Sequence, residues 1–266
     1  MKKRAGSAFI CLVLLAAACA GEGDGEVRRE RTSDRSQRSI ERAGLIYAAV
    51  GASETAGWGA GNFSRESWPR VLLELALPDF ELVNLGLPGA TVERAIEREL
   101  PKLKRVDPDV VTVWLNANDI LQGVPPARYK RDFTQLLRTI DRTGSQQVLV
   151  ANTPPLDTLP AYRACRPDPP EDGPFCFLGG SLPSPAEMRA LVKRYNRIIK
   201  QTVEQTGGTL VDLHSSAQRA QKQGRAAELI SGDGLHPSTK GHRAVAESFS
   251  DRLEIPFAAT GERGSP

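Results

Sequence analysis

Residues that mark metal-dependent or nucleotide-dependent enzymes are few in this chain. The 266 residues include four cysteines and three histidines, and aromatic residues make up 6%. No His or second Cys pair stands near Cys165 and Cys176 at ligand spacing, so a zinc site is not expected. Gly57-Trp58-Gly59-Ala60-Gly61 lacks the lysine of a phosphate loop and the spacing of a dinucleotide fingerprint, and reads as a plain loop. A Gly-x-Ser-x-Gly elbow is also missing, because Thr55 stands where its last glycine would be; the ordinary α/β-hydrolase fold is disfavoured. The apolar run at residues 8–18 is too short to remain as a permanent bilayer-spanning helix. There is no excess of one charge either. The formal net charge is +3, and Lys2, Lys3 and Arg4 are the only charged residues before Cys19. Removing that segment leaves a neutral chain with no reason to bind nucleic acid.

The N-terminus reads as an export signal, with a basic start, a short apolar run and small residues ahead of a cysteine. Leu15-Ala16-Ala17-Ala18-Cys19 resembles a bacterial lipoprotein lipobox, although Ala16 sits where leucine is more usual. The resemblance implies a signal peptide over 1–18, lipidation of Cys19 and attachment to the membrane outside the cytoplasm. The alternative is an ordinary signal peptide cut after an alanine, with Cys19 incidental. Residues 19–43 are polar and nearly free of apolar side chains, so they read as a disordered tether. In an exported protein the remaining pair, Cys165 and Cys176, is most simply a disulfide.

From residue 44 the pattern changes. Apolar or β-branched runs at 45–50, 80–85, 110–115, 147–151 and 209–213 predict strands; helical spacing predicts helices at 67–77, 91–103, 126–142, 185–205 and 238–253. Residues 154–185 read as an irregular insertion. The globular domain is expected over 44–257, with a flexible tail at 258–266. Strands alternating with helices argue for an α/β fold whose parallel sheet is covered on both faces. Ligands in such folds bind beyond the carboxyl ends of the strands. Ser53, the segment 84–89 and the segment 116–119 all follow predicted strands there, and His236 follows the last one by a longer connection.

A serine hydroxyl is a poor nucleophile until an imidazole takes its proton, and that imidazole needs a carboxylate to fix its tautomer. Ser53 is the candidate nucleophile, and Asp233 and His236, three residues apart, can meet on one turn. Pro237 biases His236 away from helix, and Ser238 can cap the helix that follows. His214 and His242 compete for the base role. Asp212 stands two residues from His214 without evident pairing, and His242 falls inside the last helix. The blocks Gly51-Ala52-Ser53-Glu54-Thr55-Ala56-Gly57, Asn84-Leu85-Gly86-Leu87-Pro88-Gly89-Ala90-Thr91, Asn116-Ala117-Asn118-Asp119 and Asp233-Gly234-Leu235-His236-Pro237 together resemble those of the SGNH, or GDSL-type, hydrolases.

That resemblance implies a three-layer, flavodoxin-like, doubly wound parallel sheet of five strands. It also implies an oxyanion hole made by the backbone N–H groups of Ser53 and Gly89 and the side-chain amide of Asn118. Two positions depart from the family pattern: Ala52 replaces an aspartate, and Asn116 replaces a glycine. The Asn116 side chain is expected to alter the shape of the pocket. The expected activity is hydrolysis of a carboxylic ester, on a small ester or an acylated glycan or lipid. Neither a metal nor an organic cofactor is implied, and a monomer is expected. The rival from another class is a non-catalytic envelope lipoprotein that uses the same fold to bind a ligand.

Overall fold

Apolar alternation in the first strand sets the two sides of the molecule. Tyr47 and Ala49 point into one core while Ala48 and Val50 point into the other, as the period of two requires. The structure is a computed structural model that describes residues 44–254, apart from 144, 146, 170–175, 177 and 179–181. The expected signal peptide (1–18), the Cys19 lipidation site, the tether (19–43), residues 255–257 and the tail (258–266) lie outside the described residues.

The sheet is built from β1 (Leu45–Gly51), β2 (Phe80–Asn84), β3 (Val110–Trp114), β4 (Gln147–Ala151) and β5 (Thr209–Val211). Its order is β2-β1-β3-β4-β5, and every neighbouring pair is parallel. This is the expected doubly wound arrangement. Strand order reverses between β1 and β3, where Gly51 lies opposite Trp114, so the crevice for a ligand opens above that pair. β3 is buried along its whole length, which is why it reads as an unbroken apolar block.

The helices are α1 (Ser53–Ala56), α2 (Phe63–Glu66), α3 (Trp68–Ala76), α4 (Val92–Arg98), α5 (Leu100–Val106), α6 (Ala117–Leu121) and α7 (Pro126–Asp141). They continue with α8 (Pro160–Cys165), α9 (Pro185–Gln205), α10 (Leu213–Lys222), α11 (Ala226–Leu229) and α12 (Thr239–Ser250). On one face α3 and α12 pack together, with the Trp68 and Phe249 rings stacked 4.5 Å apart. On the other, Tyr129 of α7 meets Tyr195 of α9 at 4.3 Å. Truncating a fully buried aromatic such as Trp68 to alanine would cost about 3–5 kcal/mol.

Three local departures from the sequence reading have physical causes. The expected helix at 91–103 breaks at Glu99 into α4 and α5, because Pro101 cannot continue the hydrogen-bond ladder. Asp212 ends β5 early by accepting the Ser215 N–H and so capping α10. The insertion at 154–185 is less irregular than expected, since a 3₁₀ turn at Leu156–Thr158 leads into α8. The disulfide joins Cys165 at the end of α8 to Cys176, as anticipated.

Candidate active site

β1 ends at Gly51 and the chain turns at Ala52 directly into the single turn of α1, which lifts Ser53 to the rim of the sheet. The Ser53 side chain remains largely covered. Its Oγ lies 2.8 Å from His236 Nε2, although the two residues are 183 apart in sequence. His236 Nδ1 is 2.6 Å from Asp233 Oδ2. Ser53, His236 and Asp233 therefore form one continuous hydrogen-bonded chain.

The segment carrying Asp233 and His236 is a small ring closed by backbone bonds. Ser231 N–H donates to the His236 carbonyl, Ser238 N–H donates to the Leu229 carbonyl, and Ile230 bridges to Pro237. Asp233 Oδ1 accepts from the Ser231 hydroxyl at 2.7 Å, from Leu235 N–H at 2.8 Å and from His236 N–H at 2.9 Å. Partial burial pushes the Asp233 carboxyl up, but these donors and the imidazole outweigh it and hold its pKa at about 2. One oxygen of Asp233 thus shapes the turn while the other orients the ring. Ser238 caps α12 through the Gly241 N–H, so the helix starts only after His236 and Pro237.

Behind the imidazole lies the glycine-rich loop. Gly59 has φ +90°, and a Cβ there would come within 2.2 Å of the Pro237 carbonyl and 2.8 Å of His236 Cβ. Only glycine can bring that loop so close. Trp58 next to it places its ring 5.6 Å from the His236 ring. His242 fastens the same loop from α12. Its Nδ1 accepts the Trp68 N–H at 3.2 Å, so Nε2 carries the proton and donates to the Trp58 carbonyl at 2.9 Å. Burial lowers the His242 pKa, consistent with a neutral, structural ring. His214 bonds to the Thr153 carbonyl and Gln218, while Asp212 bonds Ser215 and Asn152, so those two do not pair.

The second and third blocks converge on Ser53 from either side. Asn84 at the end of β2 donates to the Thr55 carbonyl of α1 at 2.7 Å and accepts the Gly86 N–H, linking α1 to the turn that carries Gly89. Gly89 takes a left-handed conformation with φ +74°. Asn118 of α6 donates to the Ala90 carbonyl at 3.1 Å, and Gln122 donates to the Gly89 carbonyl at 3.2 Å. Neither the Ser53 N–H nor the Gly89 N–H has a partner among the described residues. Asp119 is buried and receives the Val92 N–H at the start of α4; its burial raises its pKa to about 7. Ser53, Asn118 and His236 line one cavity of about 390 Å³, while Gly89 lies on the neighbouring turn.

The expectation for Asn116 is corrected. Its side chain does not line the cavity but turns inward, donating to the Ala151 carbonyl at 3.2 Å between the ends of β3 and β4. Sequence reasoning also missed two carboxyl groups that brace the turn carrying Ser53. Glu99 accepts the Gly51 N–H at 2.9 Å, and Glu54 accepts the Ala52 N–H at 3.4 Å. Burial raises Glu99 to about 8, opposed by the Gly51 N–H and helped by the charge of Glu54. Burial likewise raises Glu54 to about 7. The one sequence signal for Glu99 was Pro101, which marks a helix junction there rather than a solvated helical face.

With this geometry in place, the comparisons with known proteins agree with one another. The model of the GDSL-like Lipase/Acylhydrolase family matches residues 49–244. An acetylxylan esterase from Geobacillus stearothermophilus is 26% identical over 182 residues, covering 67% of this chain and 75% of its own length. An arylesterase from Vibrio mimicus is 28% identical over 88 residues, which is 32% of this chain and 44% of that one. Among solved structures, a lipase/acylhydrolase from Enterococcus faecalis superposes with a TM-score of 0.57 at 19% identity, covering 78% of this chain and 94% of that chain. This last likeness supports the fold.

Proposed function

We propose that this chain, which belongs to the GDSL-like lipase/acylhydrolase family and is a carboxylic ester hydrolase, works through an acyl-Ser53 intermediate with His236 and Asp233 completing the triad. The carrying observation is the unbroken run of hydrogen bonds from Asp233 through His236 to Ser53 at 2.6 and 2.8 Å. Asp233 is ionised far above its pKa of about 2, so it accepts from Nδ1–H and leaves the Nε2 lone pair facing Ser53 Oγ.

As Oγ attacks the ester carbonyl, Nε2 takes its proton and the carbonyl oxygen becomes an anion. The Ser53 and Gly89 N–H groups and the Asn118 amide are the donors for that anion. Collapse breaks the carbon–oxygen bond to the alcohol, which leaves with the proton from Nε2. Water then attacks the acyl group on Ser53, giving its proton to Nε2. The carboxylic acid departs as Oγ is protonated again. A non-catalytic binding role is disfavoured, because a ligand-binding module has no use for a buried serine held on an oriented imidazole.

The test is Ser53→Ala. Hydrolysis of p-nitrophenyl acetate should vanish with the melting temperature unchanged, and a fluorophosphonate probe should label the parent but not the variant. Undiminished turnover in the variant would overturn the assignment.

A further inference from the structure

The cavity that opens at Ser53 continues well past the carbonyl site. It passes Trp114 and Leu235 and then runs between α10 and α12, where Ala217, Ala220 and Val245 contribute to its walls. The helices explain the gap. α12 is pressed against α3 by the Trp68–Phe249 stack and touches α10 only lightly, so a cleft stays open between α10 and α12. At ~30 Å³ per water-sized group, about 390 Å³ holds on the order of a dozen such groups, far more than an acetyl group fills. Side chains that could solvate a sugar stand at the outer rim, where Arg219, Glu247 and Asp251 are exposed, and the walls between rim and nucleophile are mainly apolar.

We propose that the α10–α12 cleft receives an unbranched hydrocarbon chain of the substrate, so that the enzyme favours esters carrying a chain of about six to ten carbons over simple acetates. The proposal rests on the Ser53 reading above, since the cleft bears on specificity only because it is continuous with the reacting serine. Each methylene drawn from water into such walls contributes roughly fourfold in binding. Because the chain is held in the ground and transition states alike, the gain falls on kcat/KM. Such a chain can come from the acyl or from the alcohol side of the ester.

Two substrate series separate those sources: p-nitrophenyl esters from acetate to decanoate, and acetate esters of straight-chain alcohols from ethanol to decanol. In the parent, kcat/KM should climb about two- to fourfold per methylene in one series until the cleft is full. A climb in the first places the acyl chain in the cleft, and a climb in the second places the alkyl chain there. Ala217→Phe on α10 and Ala244→Phe on α12 each narrow the cleft without touching the triad. Either should flatten the climb while keeping ethyl acetate turnover and the melting temperature close to the parent. Flat profiles in both series, or a climb that survives in both folded variants, would overturn the cleft assignment and leave the Ser53 reading standing. A parent that fails on p-nitrophenyl acetate would overturn both.

Discussion

Replacing Asp233 by asparagine separates its two duties. Oδ1 receives three donors from Ser231, Leu235 and His236, and an asparagine carbonyl oxygen can keep all three. Its amide nitrogen then faces His236 Nδ1, where the carboxylate oxygen now sits at 2.6 Å. An amide N–H in that place donates, so Nδ1 must accept and the imidazole proton moves to Nε2. Nε2 then points a proton at Ser53 and cannot take one. Tautomer inversion of this kind costs about 10³–10⁴ in kcat, or roughly 4–5.5 kcal/mol of barrier. The Asp233→Ala variant loses the tautomer control and the three bonds that close the turn, so it should also melt at a lower temperature. The assay is kcat on p-nitrophenyl acetate at neutral pH, with a melting curve for each variant. An Asp233→Asn enzyme within about tenfold of the parent would refute the tautomer argument and the role of Asp233 with it.

The remaining predictions concern one proposed oxyanion donor and one buried carboxyl group. Asn118→Ala should lower kcat by about 10²–10³ with little change in KM, and a raised KM with kcat unchanged would mean that the amide binds the ground and transition states alike. Glu99 has a folded pKa of about 8 against roughly 4.3 unfolded, so its contribution to stability is complete below about 4.3 and is lost as pH rises through 8. Glu99→Gln cannot ionise, so it should melt higher than the parent at alkaline pH by on the order of 5–10 °C, with a smaller gap near pH 5; equal gaps at both would show that Glu99 titrates normally.

The strands and the four motif blocks were legible because their information is local. A period of two, a β-branched run or a glycine after a strand survives in a short window of sequence. The Asp233 to His236 turn was legible for the same reason, since its geometry is set within four residues. What stayed hidden depends on contacts between distant segments. Glu99 sits among Glu93, Glu97 and Arg98 in a pattern that looks like a solvated helical face, yet it is 1% exposed against a strand end 48 residues away. The fit of Gly59 behind His236 is equally invisible, because a glycine in a glycine-rich loop reads as slack until its neighbour in space is known. The break at Glu99 and the early end of β5 turn on one proline and one capping aspartate, which local periodicity outvotes.

The departure at Ala52 makes physical sense once those hidden groups are in view. A strand-to-helix turn leaves backbone N–H groups without helical partners, and buried donors must be satisfied. Position 52 supplies no carboxylate here, and the two N–H groups at the turn are taken instead by Glu99 from the α4–α5 junction and Glu54 from α1 itself. The exchange has an electrostatic consequence. An ionised aspartate beside the nucleophile would put fixed negative charge near a forming oxyanion. Burial instead holds Glu99 mainly neutral at pH 7 and leaves Glu54 near its midpoint, at about 7. The charge of Glu54 raises Glu99 further, so the two carboxyl groups do not both ionise cheaply. The turn is therefore braced by groups whose acceptor oxygens persist when they are protonated.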